Sequence, residues 1–253
     1  MRIKYKSFLL PLVILVNADI AAAQSRGLNM IYIGDSITAG AGIGDASNYP
    51  TVAADRALQK AGNTAVQSSN QGHSGFTTLD FQPGTPAFEQ VENAANEYKS
   101  STNELVFSIM LGTNDSAVRG PHGSPVSPEN YEKNLQSIID RLLKDYPASK
   151  IVIQHPIWYS PNTYNGAMYL QEGLDRLQNY FPQIDQLVAH YTVKNKNHVF
   201  SGDSEAFDYF RTHSLASFQA EQGNRGTFYL HPNENGAKVL GEFWAKAIAR
   251  AIQ

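Results

Sequence analysis

The sequence contains no cysteine. That excludes disulfides, thiolate metal sites and cysteine nucleophiles together. Its most apolar stretch, FLLPLVILV from Phe8 to Val16, is nine residues long, well short of the roughly 20 needed for a helix to span a bilayer. Basic residues are few and scattered: 20 Lys and Arg against 23 Asp and Glu give a net charge of −3. With no basic cluster, nucleic acid is not an expected partner. Neither a G-x-G-x-x-G loop nor a Walker-type lysine follows the first strand-like run, which argues against nicotinamide cofactors and nucleoside triphosphates. The G-x-S-x-G elbow of the α/β-hydrolases is missing too. The histidines are dispersed, with no H-x-x-x-H pair, so no metal and no cofactor are expected.

What is present begins with an export pattern. Arg2, Lys4 and Lys6 precede the apolar stretch, and Ala21 and Ala23 offer small residues before Gln24. This is the layout of a secretory signal peptide over residues 1–23, followed by one domain over 24–253, exported or periplasmic. No cysteine follows the cut, so a lipid anchor there is excluded, and no stable membrane insertion is expected after cleavage. Without those residues the chain carries 17 basic and 22 acidic groups, a net of −5. A chain of this length buries roughly 70–75% of its unfolded surface and needs no metal or disulfide to fold.

Strand-like and helical runs alternate. Met30–Ile33, Thr64–Ser69, Glu104–Leu111, Lys150–Pro156 and His198–Gly202 read as strands. Glu104–Leu111 is apolar on both faces apart from Ser108, which places it centrally. Helices are expected over Tyr49–Gly62, Phe88–Lys99, Ser127–Pro147, a broken region from Gly166 to Tyr191, and Asn233–Ile252. Ser127 is a good N-cap, with Pro128 at the first helical position. The alternation predicts a three-layer α/β/α sandwich with a mostly parallel central sheet of about five strands.

In such sheets ligands bind beyond the carboxyl ends of the strands. There the sequence places Asp35 and Ser36, then Asn70, Gly72, His73 and Gly75, then Asn114 and Asp115, then His155, and finally His231. A serine, hydrogen-bond donors and histidines on one edge are the components of acyl transfer. Asp35 and Asp115 are read as caps and loop supports, because a carboxylate beside an oxyanion would oppose catalysis.

Four blocks, in order, resemble the SGNH or GDSL-type esterases and lipases: GDSIT (Gly34–Thr38), NQGHSG (Asn70–Gly75), GTND (Gly112–Asp115) and HPNENG (His231–Gly236). The resemblance covers essentially the whole chain after the leader. It implies that Ser36 is the nucleophile and His231 the base. It also implies an oxyanion hole made by the Ser36 and Gly75 N–H groups and the Asn114 amide. The family mostly carries Asp-x-x-His, whereas this chain has Phe228 at the place of the aspartate. Three outcomes follow: a backbone carbonyl orients His231 in a Ser–His dyad; a carboxylate from elsewhere does so, with Asp203, Glu205, Asp208 and Glu234 as candidates; or the site is inert.

The loops around these blocks are polar and aromatic: RGPHGSPVSP, WYSPNTYNG and EQGNRGTFY. They resemble those of bacterial carbohydrate esterases more than the greasy mouth of a lipase. The expected function is removal of O-acetyl groups from a glycan. The alternatives are a lipid, lysophospholipid or general short-chain esterase, and a non-catalytic glycan-binding protein on the same scaffold. Candidate substrate contacts are His73, Arg119, His155, Trp158 and Tyr159, with Tyr164 as a further aromatic platform.

Overall fold

The structure is a computed structural model that describes residues 27–62 and 65–252. The leader-like segment 1–23 lies outside the described residues. In chain order the elements are β1 (Leu28–Gly34), α1 (Ser36–Ala39), α2 (Pro50–Lys60), β2 (Val66–Gly72), α3 (Pro86–Asn96), β3 (Glu104–Met110), α4 (Thr113–Ser116), α5 (Pro128–Asp145) and β4 (Lys150–Ile153). There follow β5 (Asn162–Thr163), β6 (Tyr169–Leu170), α6 (Gln171–Asn179), α7 (Phe181–Lys194), β7 (Val199–Ser201), α8 (Ala206–Thr212), α9 (Ser214–Ser217), β8 (Glu221–Gly223), β9 (Gly226–Phe228) and α10 (Glu234–Ala251).

The five-stranded sheet has the order β2–β1–β3–β4–β7, and every pairing is parallel. β3 is therefore central, as its apolar run predicts. Alternation along the strands divides the core. Ile31, Ile33, Phe107 and Ile109 face the side covered by α3, α5 and α7. Met30, Tyr32, Val106 and Met110 face the side covered by α2 and α10, where Trp244 packs over Tyr32 with ring centroids 6.1 Å apart. Both sheet faces are thus dry, which is the condition for an all-parallel sheet.

Local chemistry sets the helix limits. Ser127 caps α5 by accepting from the Asn130 N–H at 3.3 Å, with Pro128 following it. Asn233 caps α10 by accepting from the Gly236 N–H at 2.9 Å. The helical reading from Gly166 needs correction. The Asn165 side chain accepts the N–H groups of Ala167 and Met168, and Met168 turns into the left-handed region at φ 54°. The chain then runs as β6 before α6 begins. The break lies at Tyr180, and Pro182 sits in the first turn of α7, where its missing N–H costs nothing.

Register fixes the working edge. Gly34 pairs with both Gly72 and Met110, so β1, β2 and β3 end at one height. The segments bearing Ser36, Gly75 and Asn114 leave from that level. The end of β2 lies hard against α1: a Cβ on Gly72 would sit 2.4 Å from the Ala39 nitrogen. Asn70 seals the contact, donating to the Thr38 carbonyl at 2.9 Å.

Two carboxylates are fully buried beneath this edge. Asp35 accepts from the Ile37 N–H at 2.9 Å and caps α1. Asp115 accepts from the N–H of Thr78 at 3.0 Å and from its hydroxyl, tying the loop after β2 to α4. Both act structurally, as expected. Burial pushes Asp35 up to about 6 and Asp115 up to about 7; hydrogen bonds counter this in both, and Asp35 adds like-charge repulsion at Asp115. The folded chain therefore holds these protons more tightly than the unfolded chain does. Their contribution to stability falls as pH rises from about 4, where an unfolded aspartate ionises, to about 7, and levels off above. Thermal melts of Asp115→Asn between pH 4 and 8 should show a shallower decline in Tm than the parent chain. An unchanged slope would mean that Asp115 ionises normally in place.

Candidate active site

Ser36 is the first residue of α1, where its backbone N–H has no partner within the helix. Its side chain is buried to 8% exposure, and Oγ lies 3.0 Å from Nε2 of His231, 195 residues away in sequence. His231 is fixed from behind. Its Nδ1 lies 3.0 Å from Oε2 and 3.1 Å from Oε1 of Glu221, and its backbone N–H donates to Oε1 at 3.1 Å. A carboxylate at Nδ1 assigns the proton to that nitrogen and turns the Nε2 lone pair toward the serine. Burial pushes the Glu221 carboxyl up, but the hydrogen bonds and charge of His231 outweigh this and hold it below the usual range. Glu221 is thus an anion beside the imidazole.

None of those four acids fills this role. Asp203 caps α8 through the N–H groups of Glu205 and Ala206, Glu205 pairs with Lys246, Asp208 pairs with Arg211, and Glu234 is exposed in the first turn of α10. Glu221 comes from the β8–β9 hairpin, in a segment whose strands are three residues each and too short to show a period. One signal was available. Asn224–Arg225 between Gly223 and Gly226 is a two-residue hairpin turn, with Gly226 at φ 97°. That turn puts Glu221 directly opposite Phe228. The position where the family carries its aspartate is thus occupied by a buried core phenylalanine, and its cross-strand neighbour supplies the carboxylate.

The hairpin is braced. Arg225 lies over the Tyr164 ring at 4.3 Å and donates to its hydroxyl at 3.1 Å. The Asn224 N–H donates to the Tyr164 carbonyl at 2.9 Å, and Asn162 donates to the Thr227 carbonyl at 2.9 Å. Gln219 also escaped the sequence reading. Its side-chain amide donates to the carbonyls of Ala41, beyond the serine turn, at 2.8 Å and of Pro232, beside the histidine, at 2.9 Å.

Asn114 opens away from β3 on α4. Its side-chain nitrogen donates one hydrogen to the Phe76 carbonyl at 2.8 Å, next to Gly75, and the second remains for a ligand. Its side-chain oxygen accepts from the hydroxyl of Tyr169, a buried residue on β6, so the amide is held with its N–H₂ end toward Gly75. Gly75 takes φ 84°, which only glycine adopts freely, and its N–H has no acceptor among the described residues. Tyr169 had no sequence signal.

The candidate substrate contacts divide. Tyr159 is fully buried with its hydroxyl 3.0 Å from Ser116 Oγ, which leaves no face for a sugar; it packs the strap beneath the site. Trp158 is half-buried between the two cores, its ring 6.0 Å from Phe218. Tyr164 is covered by Arg225. His155 is 6% exposed and stacked on Phe181 at 4.8 Å, with Asp185 3.4 Å from Nε2; burial lowers its pKa. His73 is half-buried and stacked on Phe76 at 4.8 Å, between Gly72 and Gly75. Arg119 is exposed. No cluster of three or more potential metal-binding side chains occurs among the described residues.

The model of the GDSL-like lipase/acylhydrolase family matches residues 32–239, from within β1 into α10 and across all four sequence blocks. This chain belongs to that family. As a GDSL-type serine hydrolase it is similar in fold to Est24, a carbohydrate acetylesterase from Sinorhizobium meliloti, at 18% identity over 88% of this chain and 98% of that one, TM-score 0.59. It is similar to LAE5, an α/β hydrolase from the metagenome of Lake Arreo in Spain, at 21% identity over 90% and 95%, TM-score 0.58. A lipase/acylhydrolase from Enterococcus faecalis matches at 18% identity over 87% and 94%, TM-score 0.58. No curated protein sequence matches the chain.

Two substitutions separate the roles in this GDSL hydrolase. Glu221→Gln keeps the shape but removes the charge that fixes the His231 tautomer. By analogy with the aspartate of serine proteases, kcat on 4-nitrophenyl acetate should fall roughly 10³–10⁴-fold with KM little changed. A loss under tenfold would mean that the backbone alone orients His231. Tyr169→Phe leaves the Asn114 oxygen unpaired and the amide free to turn. It should lower kcat about tenfold, as expected for one buried hydrogen bond lost. A rise confined to KM would show that Tyr169 acts on substrate binding instead.

Proposed function

We propose that this GDSL-type hydrolase is a serine esterase that removes O-acetyl groups from carbohydrate, with Ser36 as nucleophile, His231 as base and Glu221 as orienting carboxylate. The observation that carries the catalytic reading is the continuous relay from Ser36 Oγ to His231 to Glu221, with steps of 3.0 and 3.0 Å. Ser36 Oγ attacks the ester carbonyl carbon and gives its proton to Nε2. The carbonyl oxygen takes negative charge and is met by the Ser36 and Gly75 N–H groups and the Asn114 amide. Collapse breaks the bond to the sugar oxygen, which receives the proton from Nε2. Water then attacks the acetyl-serine, again through His231, and acetate leaves as the serine hydroxyl is restored. Glu221 stays ionised throughout.

The carbohydrate reading draws on three supports. The loops at the sheet edge are polar. Among the described residues the exposed large hydrophobics are Leu79, Val193 and Leu215, on separate elements, so they make no continuous apolar mouth for a long acyl chain. The fold is shared with Est24, itself a carbohydrate acetylesterase. The rival reading as an inert glycan binder rests on Phe228, and the placement of Glu221 removes its premise. We also propose export, with cleavage before Gln24, on the strength of the leader pattern alone.

The test is acetate release from a panel of acetylated polysaccharides by the exported chain and by Ser36→Ala, beside a long-chain ester. Release from at least one polysaccharide, lost in Ser36→Ala, is the expected result. Cleavage of the long-chain ester only would make the protein lipolytic. Binding of glycan by both chains with no cleavage by either would leave it a non-catalytic binder. Mass measurement of the secreted product checks the cut before Gln24.

A further inference from the structure

The segments that leave the carboxyl ends of the strands carry almost no free charge. Taken as residues 35–49, 73–85, 111–127, 154–170 and 202–233, they contain no lysine. Their three arginines are Arg119, Arg211 and Arg225. Arg211 pairs with Asp208 at 2.9 Å, and Arg225 is committed to Tyr164. The carboxylates around the site are engaged as well: Asp35 caps α1, Asp80 pairs with His122 at 2.6 Å, Asp115 accepts from Thr78, and Glu221 pairs with His231. All three are exposed, and Arg119 alone among them has a side chain with no hydrogen bond or ion pair to another described residue.

Its position is built. Arg119 lies five residues beyond Asn114. Its backbone N–H donates to the Ala167 carbonyl at 2.9 Å, and Val118 donates to Met168 at 3.1 Å, next to Tyr169. Two residues further on, Pro121 lies beside Gly75, 3.6 Å from where a Cβ there would sit. The backbone of Arg119 therefore sits on the rim between the two segments that hold Asn114 and Gly75. The loop is stiff. Ser124 donates to the carbonyls of Asn114 at 2.6 Å and Pro121 at 2.9 Å, and the Val126 N–H donates to the Asp115 carbonyl at 2.9 Å. The backbone that carries the guanidinium is therefore fixed, and the planar fork of the guanidinium matches a carboxylate.

We infer that Arg119 is a specificity residue that takes the carboxylate of an acidic sugar, so that the substrate is an O-acetylated glycan containing uronic or other carboxylated residues. This rests on the acetylesterase reading above and narrows it. An unpaired cation at the rim repels cationic ligands and favours an anionic ligand over a neutral one, through both charge attraction and bidentate pairing.

The experiment measures kcat/KM on O-acetylated polygalacturonate and on a neutral acetylated mannan, for the parent chain, Arg119→Gln and Arg119→Lys. The acidic-to-neutral ratio should fall about tenfold in Arg119→Gln, the loss expected for one charge-assisted hydrogen-bonded contact. Arg119→Lys should recover only part of it, and added salt should lower the parent's ratio toward that of Arg119→Gln. A ratio unchanged in Arg119→Gln overturns the inference while leaving the esterase reading intact. If neither polysaccharide is cleaved, Arg119 is judged on 4-acetoxybenzoate against phenyl acetate. A preference for the carboxylated ester that is lost in Arg119→Gln then upholds an anion contact, and equal ratios overturn it.

Discussion

The common register of β2, β1 and β3 is the constraint on which the catalytic edge depends. Gly34 is level with Gly72 on one side and Met110 on the other. The nucleophile turn, the Gly75 loop and the Asn114 turn therefore start at one height and need only short excursions to meet. Parallel strands slipped by one residue would turn every side chain to the opposite face. Here such a slip would exchange the Ile31/Ile33 face for the Met30/Tyr32 face, between two dry cores of different shape. The cores thus hold the site in place through the strands, and close contacts such as Gly72 against α1 leave little room for adjustment.

The histidine arrives from far along the chain, and its support is local to that arrival. Gln219 joins the serine side to the histidine side, Asn233 starts α10, and the β8–β9 hairpin brings Glu221 behind the ring. A carboxylate across a hairpin from the usual position performs the same electrostatic task, because the imidazole responds to a charge at Nδ1 and not to the strand that carries it. The exchange also explains why Phe228 is tolerated. It fills the core that Leu230 and the sheet-side helices share, where an unpaired carboxylate would cost several kcal/mol.

Long, periodic elements were legible in the sequence. The central strand, the Ser127-capped helix and the terminal amphipathic helix all stand where apolar spacing and caps put them, and the four blocks fall on the expected edge. The stretch from Asp203 to Leu230 was not legible: its strands span three residues and its helices four and seven. Pairing partners there are set by tertiary contact, so the sequence did not single out Glu221, although it lies only ten residues before His231, and none of the four carboxylates considered instead faces the histidine. The aromatic loop after β4 was misread for a related reason. Composition marks Tyr159 and Tyr164 as able to stack on a ligand, but only packing tells that one is buried and the other covered.

That same aromatic strap, from Ser160 to Leu170, touches both halves of the chemistry. Through Asn162 and Tyr164 it steadies the hairpin bearing Glu221, and through Tyr169 it holds the Asn114 amide. The Ser36–His231–Glu221 relay and the Asn114 amide are therefore mechanically coupled, although Asn114 and Glu221 lie more than a hundred residues apart. Opening of this one short segment would loosen both together. A surface feature outside every recognisable motif thus acts as the common hinge pin of the site, and changes there would propagate to chemistry that sequence comparison of the motifs alone would judge intact.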